Sequence, residues 1–287
     1  EDRQHNGQVL NLYYNREYFR VYWDGADGEI IQYYYPGQTI AAPEGLTAEA
    51  RVGYVIDGWK NSVADDEIYR EDSELVMGNQ YKHFEPNYIP AEGTKYTVIH
   101  KRPADGAFGD FSDQSQWETV VGYGTTDTVI TAEVKQYEGF VSPDAQKLYI
   151  KADGTATITY EYVRQDYHLN LNFDGGTEVN HARSYYYDVS FKLPLNVTRE
   201  GYAFRGWKLT TEGCDADIDT YDGYVYGSCL TSMKDLTFVA QWEAEQIGYK
   251  VAHYLEQLDG SYELQQTNAL TDIFGATVTA SPNEFNG

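Results

Sequence analysis

The chain contains the same uncommon segment twice, about 150 positions apart. Residues 53–60 read GYVIDGWK and residues 201–208 read GYAFRGWK, so five of the eight residues are identical. A second pair lies at nearly the same offset, with YTVIH at residues 96–100 and YKVAH at residues 249–253. The order along the chain is A, B, A, B. Repetition of this kind identifies units that fold alike and follow one another along the chain.

The repeats divide the 287 residues into four segments that follow a short N-terminal piece. We predict A1 at residues 16–94, B1 at 95–164, A2 at 165–245 and a truncated B2 at 246–287. Residues 1–15 are predicted to be the closing strand of a preceding B-type module. The linkers are short, so we expect an elongated array with neighbouring modules in contact. Because unpaired sheet edges attract compatible strands, residues 8–14 are a candidate for head-to-tail pairing with the open edge of B2 in another molecule, although truncation of the array explains the same ends more simply.

Strand signals dominate every segment. Residues 18–23 and 167–173 alternate in character and run into Asp-Gly turns, a pattern typical of strands that end in tight turns. Helical periodicity is limited to short stretches at 47–51 and 111–118. The 28 tyrosines, 11 phenylalanines and 5 tryptophans supply the bulky side chains that cores of small modules need. The predicted fold class is mainly β or α+β, with a small mixed sheet in each module.

A2 resembles a known family through several elements at fixed spacing. It has FDGG at residues 173–176, Pro194, REGYAFRGW at residues 199–207 and LTFVAQW at residues 236–242. This pattern resembles the Listeria–Bacteroides repeat, also known as the internalin B-repeat. A1 is similar to it more weakly, because Trp23 stands in place of the phenylalanine. The B-type segments resemble the mucin-binding-protein repeats of Gram-positive surface proteins.

The resemblance implies tandem β-grasp-like modules in secreted or cell-wall-anchored bacterial proteins, without catalysis. The formal charge of −24 agrees with an extracellular location and opposes nucleic acid and anionic membranes, because the field repels phosphate. The sequence has no run of 18 apolar residues, so no membrane insertion of this segment is expected. No cofactor is predicted.

The two cysteines lie close together in A2, whereas A1 has none. We predict a Cys214–Cys229 disulfide that closes a loop of roughly 15 residues, a staple suited to an oxidising compartment. The alternative is a pair of free buried thiols. A zinc site is not predicted, because four ligands are needed and no further cysteine or histidine lies nearby in the sequence.

Each A-type segment carries three consecutive tyrosines: Tyr33, Tyr34 and Tyr35 in A1, and Tyr185, Tyr186 and Tyr187 in A2. Alternate side chains of a strand face opposite ways, so at least one ring of each triplet is expected on the surface. An exposed ring suits stacking on a glycan or on a host surface protein. The alternative is packing of that face on a neighbouring module.

Two other features suggest chemistry but favour a structural interpretation. His100 and His253 occupy matching positions, yet no serine or cysteine nucleophile accompanies both copies, so we interpret them as framework residues. Four aspartates of the loop 215–222 alternate as calcium ligands can, but Thr220 stands where the EF-hand pattern has glycine. A solvated acidic loop is favoured there. Neither a metal site nor an enzyme is predicted.

The predicted function is a non-catalytic repeat segment of an extracellular bacterial surface protein anchored to the cell wall. It is expected to act as a stalk or as a multivalent adhesion module, since many weak sites give strong total attachment when their spacing allows simultaneous binding. The alternative is the accessory, non-catalytic region of a secreted carbohydrate-active enzyme whose catalytic domain lies outside these residues.

Overall fold

A computed structural model describes residues 10–63 and 67–285 of the chain. Within these ranges the protein is mainly β, as predicted, with short 3-10 turns at Gln114–Gln116 and Ser228–Thr231 and no α-helix. The strands are β1 Phe19–Gly25, β2 Gly28–Tyr34, β3 Tyr54–Asn61, β4 Ile68–Tyr69, β5 Lys82–Pro90, β6 Thr94–Lys101, β7 Trp117–Gly124, β8 Val129–Thr131, β9 Phe140–Val141, β10 Lys147–Tyr149, β11 Ala156–Glu161, β12 Val163–Arg164, β13 Asp166–Asn172, β14 Ser184–Tyr186, β15 Tyr202–Leu209, β16 Asp217–Ile218, β17 Val225–Tyr226, β18 Leu236–Ala244, β19 Gln246–Glu256 and β20 Tyr262–Ile273.

The chain divides into two compact units. Unit 1 comprises Glu1–Ile99, Thr119–Glu133 and Ala145–Thr159, and unit 2 comprises His100–Glu118, Val134–Asp144 and Tyr160–Gly287. Unit 1 thus contains A1 with parts of B1, and unit 2 contains A2 and B2 with the other parts of B1. Residues 1–9, on which most of the predicted N-terminal closing strand falls, lie outside the described residues. Residues 10–15 form no strand.

The sheet of A1 in unit 1 has five strands in the order β2-β1-β5-β3-β4. Strands β1 and β5 run parallel, and the other pairings are antiparallel. One face of the sheet carries an aromatic core in which the rings of Trp23 and Phe84 stack 4.4 Å apart and Trp59 contacts Trp23 edge-on. The A1 sheet is therefore mixed, as the sequence predicted, but within the described residues no α-helix packs on it as in a β-grasp fold.

The sheet of A2 in unit 2 has the same arrangement. Its order is β14-β13-β18-β15, with β13 and β18 parallel and β15 antiparallel to β18. Both A-type sheets have a register shift in the Gly-Trp strand, after Ile56 in A1 and after Phe204 in A2. The core around Trp207 is again aromatic, with Phe173 edge-on to its indole at 5.3 Å.

The strand registers show which residues of A1 and A2 are equivalent. Trp59 and Trp207 lie in the corresponding strands β3 and β15. Counted from these tryptophans along the β3–β5 and β15–β18 pairs, Phe84 matches Phe238. Through the parallel pairs, Trp23 then matches Leu171, not Phe173 as the sequence comparison suggested. Residues 84–88 (FEPNY) occupy the same place in the sheet as residues 238–242 (FVAQW), although the two segments share only the phenylalanine.

The B-type segments contribute smaller sheets. A three-stranded sheet in the order β11-β6-β7 has most of its residues in unit 1, together with the β8–β10 pair. Unit 2 contains the short β9–β12 pair and the long β19–β20 hairpin of B2. The repeated segments YTVIH and YKVAH lie in β6 and β19, as the repeat pattern predicted.

The predicted helical turn at residues 47–51 is wrong. The carbonyl of Thr47 accepts the Ala26 amide at 2.7 Å, and the carbonyl of Glu49 accepts the Tyr88 hydroxyl at 2.5 Å. Because these carbonyls bond to residues outside the segment, they do not close a helical turn. The predicted helix at residues 111–118 is reduced to the 3-10 turn Gln114–Gln116.

Candidate functional site

The tyrosine triplet of A1 lies at the edge of its sheet, where β2 has a strand on one side only. Tyr33 and Tyr35 are 56% and 40% exposed. The ring of Tyr18 lies edge-on to both, with centroid distances of 5.2 and 6.4 Å. Tyr34 packs against the core, and its hydroxyl bonds to the backbone of Ala41. The three exposed rings, Tyr18, Tyr33 and Tyr35, form the surface that we call the aromatic edge.

The tyrosine triplet of A2 is covered to a larger extent. Tyr185 is buried, and its hydroxyl donates to the carbonyl of Lys234 at 2.7 Å. The ring of Tyr186 lies 4.4 Å from that of Phe108, and the ring of Tyr187 lies 6.0 Å from that of Phe140. Of the six predicted binding tyrosines, Tyr33 and Tyr35 are exposed, Tyr34 and Tyr185 pack in the cores, and Tyr186 and Tyr187 contact rings of B1, with Tyr186 still 36% exposed.

The buried side chain of Arg164 explains the covering of the A2 triplet. Its guanidinium donates to the carbonyls of Ala104, Ala107 and Tyr187 at 2.7–3.0 Å and to the carboxylate of Asp188 at 3.3 Å. The side chain is only 1% exposed. Asp188 also accepts the Gly106 amide at 3.1 Å. These bonds hold the loop 104–108 of B1 against the end of the A2 triplet, all within unit 2.

The Gly-Tyr turn that defines the A-type repeat forms a second kind of junction. In unit 1, Gly53 has φ +76°, and a Cβ there would lie 2.5 Å from the carbonyl oxygen of Ala152 in B1. In unit 2, Gly201 has φ +75°, and a Cβ would lie 2.2 Å from the ring of Phe274 in B2. Glycine is therefore required at each position for two reasons: the backbone is left-handed, and the following segment approaches closely.

The tyrosine of each turn is held in the same way. The guanidinium of Arg51 lies 4.1 Å from the Tyr54 ring centroid, and that of Arg199 lies 4.1 Å from the Tyr202 ring centroid. Such contacts are favourable because a cation is attracted to the face of an aromatic ring. The Tyr202 ring also lies edge-on to Phe274, with centroids 5.6 Å apart.

In unit 1 the junction also contains a carboxylate that accepts two phenol hydrogen bonds. Asp127 of B1 accepts the hydroxyl of Tyr149 at 2.6 Å and the hydroxyl of Tyr54. These bonds, Tyr149 first, hold the pKa of Asp127 below its usual value, and the bonds to Asp127 raise the pKa of both tyrosines. The groups are exposed, so the contribution to stability is small.

His100 lies in a buried polar network of unit 2. Its Nδ1 atom is 2.8 Å from the Tyr162 hydroxyl, which accepts the Lys135 amide at 3.0 Å. Tyr137 donates to Glu118 at 2.7 Å, and burial followed by this bond raises the pKa of Tyr137. His100 is 2% exposed, so this ring is placed as a framework residue and is inaccessible to a substrate.

The predicted Cys214–Cys229 disulfide is not formed in the structure, where both residues are free thiols. Cys229 is buried in the A2 core, and Cys214 packs against that core. Each Sγ donates within its own turn, Cys214 to the carbonyl of Thr211 and Cys229 to the carbonyl of Tyr226. Burial, then the neighbouring Cys214, raises the pKa of the Cys229 thiol to about 11.

The acidic loop of A2 uses its carboxylates locally. Asp219 accepts the amides of Tyr221 and Asp222, which is the geometry of a self-bonded turn. A cluster that the sequence did not suggest lies in A1, where Asp24, Glu29 and His83 place potential ligand atoms within 4.8 Å of one another. The arrangement could hold a divalent cation, and His83 Nε2 already lies 2.9 Å from the Asp24 carboxylate.

The sequence comparison agrees with the resemblance of A2, and it gives no support for the resemblance of the B-type segments to mucin-binding-protein repeats. Residues 167–241 match the Listeria-Bacteroides repeat domain. This family is typical of bacterial surface proteins and is generally non-catalytic. The matched range runs from β13 into β18, so it contains all of β14 and β15 and most of β13 and β18. No curated protein matches the chain. Among the described residues, no helix is both long and apolar enough to cross a membrane.

Proposed function

We propose that this chain is a non-catalytic repeat segment of an extracellular bacterial surface protein, which serves as a stalk and presents an aromatic surface for weak, multivalent adhesion. The observation that carries this proposal is the repeated Gly-Tyr junction. Two A-type sheets with the same strand order each place an Arg-x-Gly-Tyr turn against the B-type segment that follows. A spacer needs such repeated contacts, because they limit motion between consecutive modules.

The adhesion part of the proposal depends on the aromatic edge of A1. Tyr18, Tyr33 and Tyr35 present adjacent rings to solvent, and Tyr33 has more than half of its surface exposed. Rings of this kind offer apolar faces and hydroxyl groups, which suit the apolar and hydroxyl-bearing faces of sugars or a protein surface. The partner class is therefore a glycan or a host surface protein, bound weakly at each copy and strongly in total.

The stalk role is tested by small-angle scattering of the full chain. A compact globule of this length has a radius of gyration of about 19 Å, and we expect a clearly larger value. A radius near 19 Å contradicts the stalk role.

The adhesion role is tested separately with an array of glycans and host surface proteins. We expect binding by the wild-type chain and its loss in the double variant Tyr33→Ala/Tyr35→Ala. Tyr221→Ala is the matched control, because Tyr221 is 94% exposed and lies in A2, away from the aromatic edge. If the control loses binding equally, or if the wild-type chain does not bind, the adhesion role is wrong and only the role as a spacer remains.

A further inference from the structure

The loop 104–108 of B1 shows what an A-type module binds at the end of its tyrosine triplet. Arg164 is buried beneath this loop and donates to two of its carbonyls, while Phe108 packs on Tyr186. The Gly106 amide completes the contact by donating to Asp188. The seat thus consists of an arginine, a tyrosine ring and the turn after the triplet, and its occupant is an Asp-Gly turn followed by an aromatic residue.

The strand registers locate the same seat on A1. Phe19 pairs with Tyr34 as Tyr167 pairs with Tyr185, so Arg16, three residues before Phe19, matches Arg164. By the same register, Tyr35 matches Tyr186.

The turn after the triplet corresponds as well, because Gly37 and Asp188 both have a positive φ, at 88° and 57°. The two turns therefore share a left-handed residue at this position, although A1 has no carboxylate where A2 has Asp188.

Among residues 10–63 and 67–285, no Asp-Gly turn occupies the seat on A1. Arg16 is exposed, and within the described residues its guanidinium has neither a hydrogen-bond nor an ion-pair partner. It borders a groove of about 600 Å³ that is lined by Arg16, Glu17, Phe19, Pro36 and Asn79. By register, the Tyr35 ring takes the position of Tyr186, which contacts Phe108 in A2, and the two residues are similarly exposed, at 40% and 36%.

We propose that this groove binds the β19–β20 hairpin tip, residues 257–262, of a second copy of the chain. The tip is the B2 equivalent of the loop 104–108, because Asp259-Gly260 repeats Asp105-Gly106 and Tyr262 repeats Phe108. It is exposed, with Tyr262 at 66% and Leu258 fully accessible. In the complex, the Arg16 guanidinium donates to carbonyls of the tip and Tyr262 packs on Tyr35.

The electrostatics of the two surfaces set the expected strength. Asp259 at the turn of the tip attracts the Arg16 guanidinium, whereas Glu17, which lines the same groove, repels it. The net charge of −24 on each copy repels the approach of whole molecules. The contact is small by the standards of stable interfaces, and we expect a dissociation constant in the micromolar to millimolar range. Because groove and tip lie on different surfaces, the association is heterologous and can extend head to tail.

Sedimentation velocity of the full chain from micromolar to millimolar concentration tests the proposal. We expect concentration-dependent association, and a loss of at least about tenfold in the association constant for either Arg16→Ala or Tyr262→Ser. Matched controls are Arg205→Ala and Tyr221→Ser, exposed residues of the same types that lie outside both surfaces. Circular dichroism verifies that each variant is folded.

Mixing the two variants gives the sharpest outcome. Arg16→Ala keeps an intact tip and Tyr262→Ser keeps an intact groove, so an equimolar mixture should regain association and stop at dimers. Association that is unaffected by Arg16→Ala, a mixture that stays monomeric, or no association at millimolar concentration each overturns the proposal. If the array shows instead that Arg16→Ala removes glycan binding, the occupant is a glycan and the proposal is also overturned. The proposal rests on the repeat junctions, and the scattering test of the stalk role is independent of it.

Discussion

A1 and A2 have the same four-strand order and the same parallel central pair, yet the edges of their sheets have different neighbours. In A2, Arg164 is buried under the loop 104–108, and Tyr186 and Tyr187 pack on neighbouring rings. In A1, the equivalent Arg16 is exposed, and the aromatic edge beside it faces solvent. The same type of sheet therefore forms a junction in A2 and presents a free surface in A1, depending on what packs against its edge.

The cores differ as well. A1 fills the position of Leu171 with Trp23, which is fully buried and stacked on Phe84. Leu171 is only partly buried against its core. The two modules therefore reach similar sheets with different side chains, because total core volume constrains a small module more than the identity of each residue.

The largest expected effect is in this core. Trp23→Ala should lower the free energy of unfolding of unit 1 by about 3–5 kcal/mol, because it removes a fully buried indole. The matched change Leu171→Ala should cost unit 2 about 2 kcal/mol, at the low end for a partly exposed leucine. Urea unfolding followed by hydrogen exchange in each unit measures both. Equal losses would mean that the two positions are not energetically distinct.

The next effect distinguishes the two arginines. Arg164→Ala should destabilise unit 2 by about 3 kcal/mol, because Asp188 and the bonded carbonyls lose a buried donor. Arg16→Ala should change the stability of unit 1 by less than about 0.5 kcal/mol, as for other exposed side chains. Chemical denaturation of the two variants at low protein concentration makes the comparison. A large loss of stability for Arg16→Ala would show that Arg16 stabilises unit 1, contrary to its place in an open seat.

A smaller effect is expected at the Gly-Tyr turns. Both glycines have a left-handed backbone, so substitution by alanine should cost about 1–3 kcal/mol. Gly53→Ala should be the more damaging change, because its Cβ meets the rigid backbone of Ala152. The Cβ of Gly201→Ala meets the Phe274 side chain, which can rotate away. Thermal unfolding of the two variants ranks them, and the reverse order would show that the A2–B2 contact is the tighter one.

The smallest effect on stability concerns the cysteines that only A2 contains. The unfolded, unreduced protein should titrate two free thiols, whereas the disulfide expected from sequence would give none. In the folded protein at pH 8, Cys229 should react with a thiol reagent roughly 100-fold more slowly than an ordinary thiol, because its pKa of about 11 suppresses the thiolate.

The sign of the associated pH effect follows from the direction of the shift. The raised pKa of Cys229 favours the folded state below pH 9.0, the ordinary thiol value, and this contribution is lost as the pH rises toward 11. A Cys229→Ala variant, which has no thiol to titrate at this position, is the control for the ionisation of tyrosines in the same range. An unchanged pH profile would show that the thiol titrates normally.

Much of this architecture could be predicted from the sequence. The repeated GYxxxGWK pattern identified corresponding strands, and the Asp-Gly turns marked where strands end. The family match at residues 167–241 confirms the resemblance for A2. The prediction of a helical turn at residues 47–51 was wrong because carbonyls of this segment bond to the distant residues Ala26 and Tyr88. Local helix propensity does not reveal such partners.

The site was harder to predict, because it depends on what packs against each repeat. The sequence alone determined that the chain is a β-rich series of repeats, since alternation and turn residues are local properties. It placed two tyrosine triplets in equivalent segments without aligning their individual residues. Only the tertiary structure showed that Tyr34, and not Tyr33, matches Tyr185, and that a neighbouring loop buries Arg164 while Arg16 stays open. The physical reason is that burial arises from contacts between residues far apart in the chain, which a repeated local pattern does not encode.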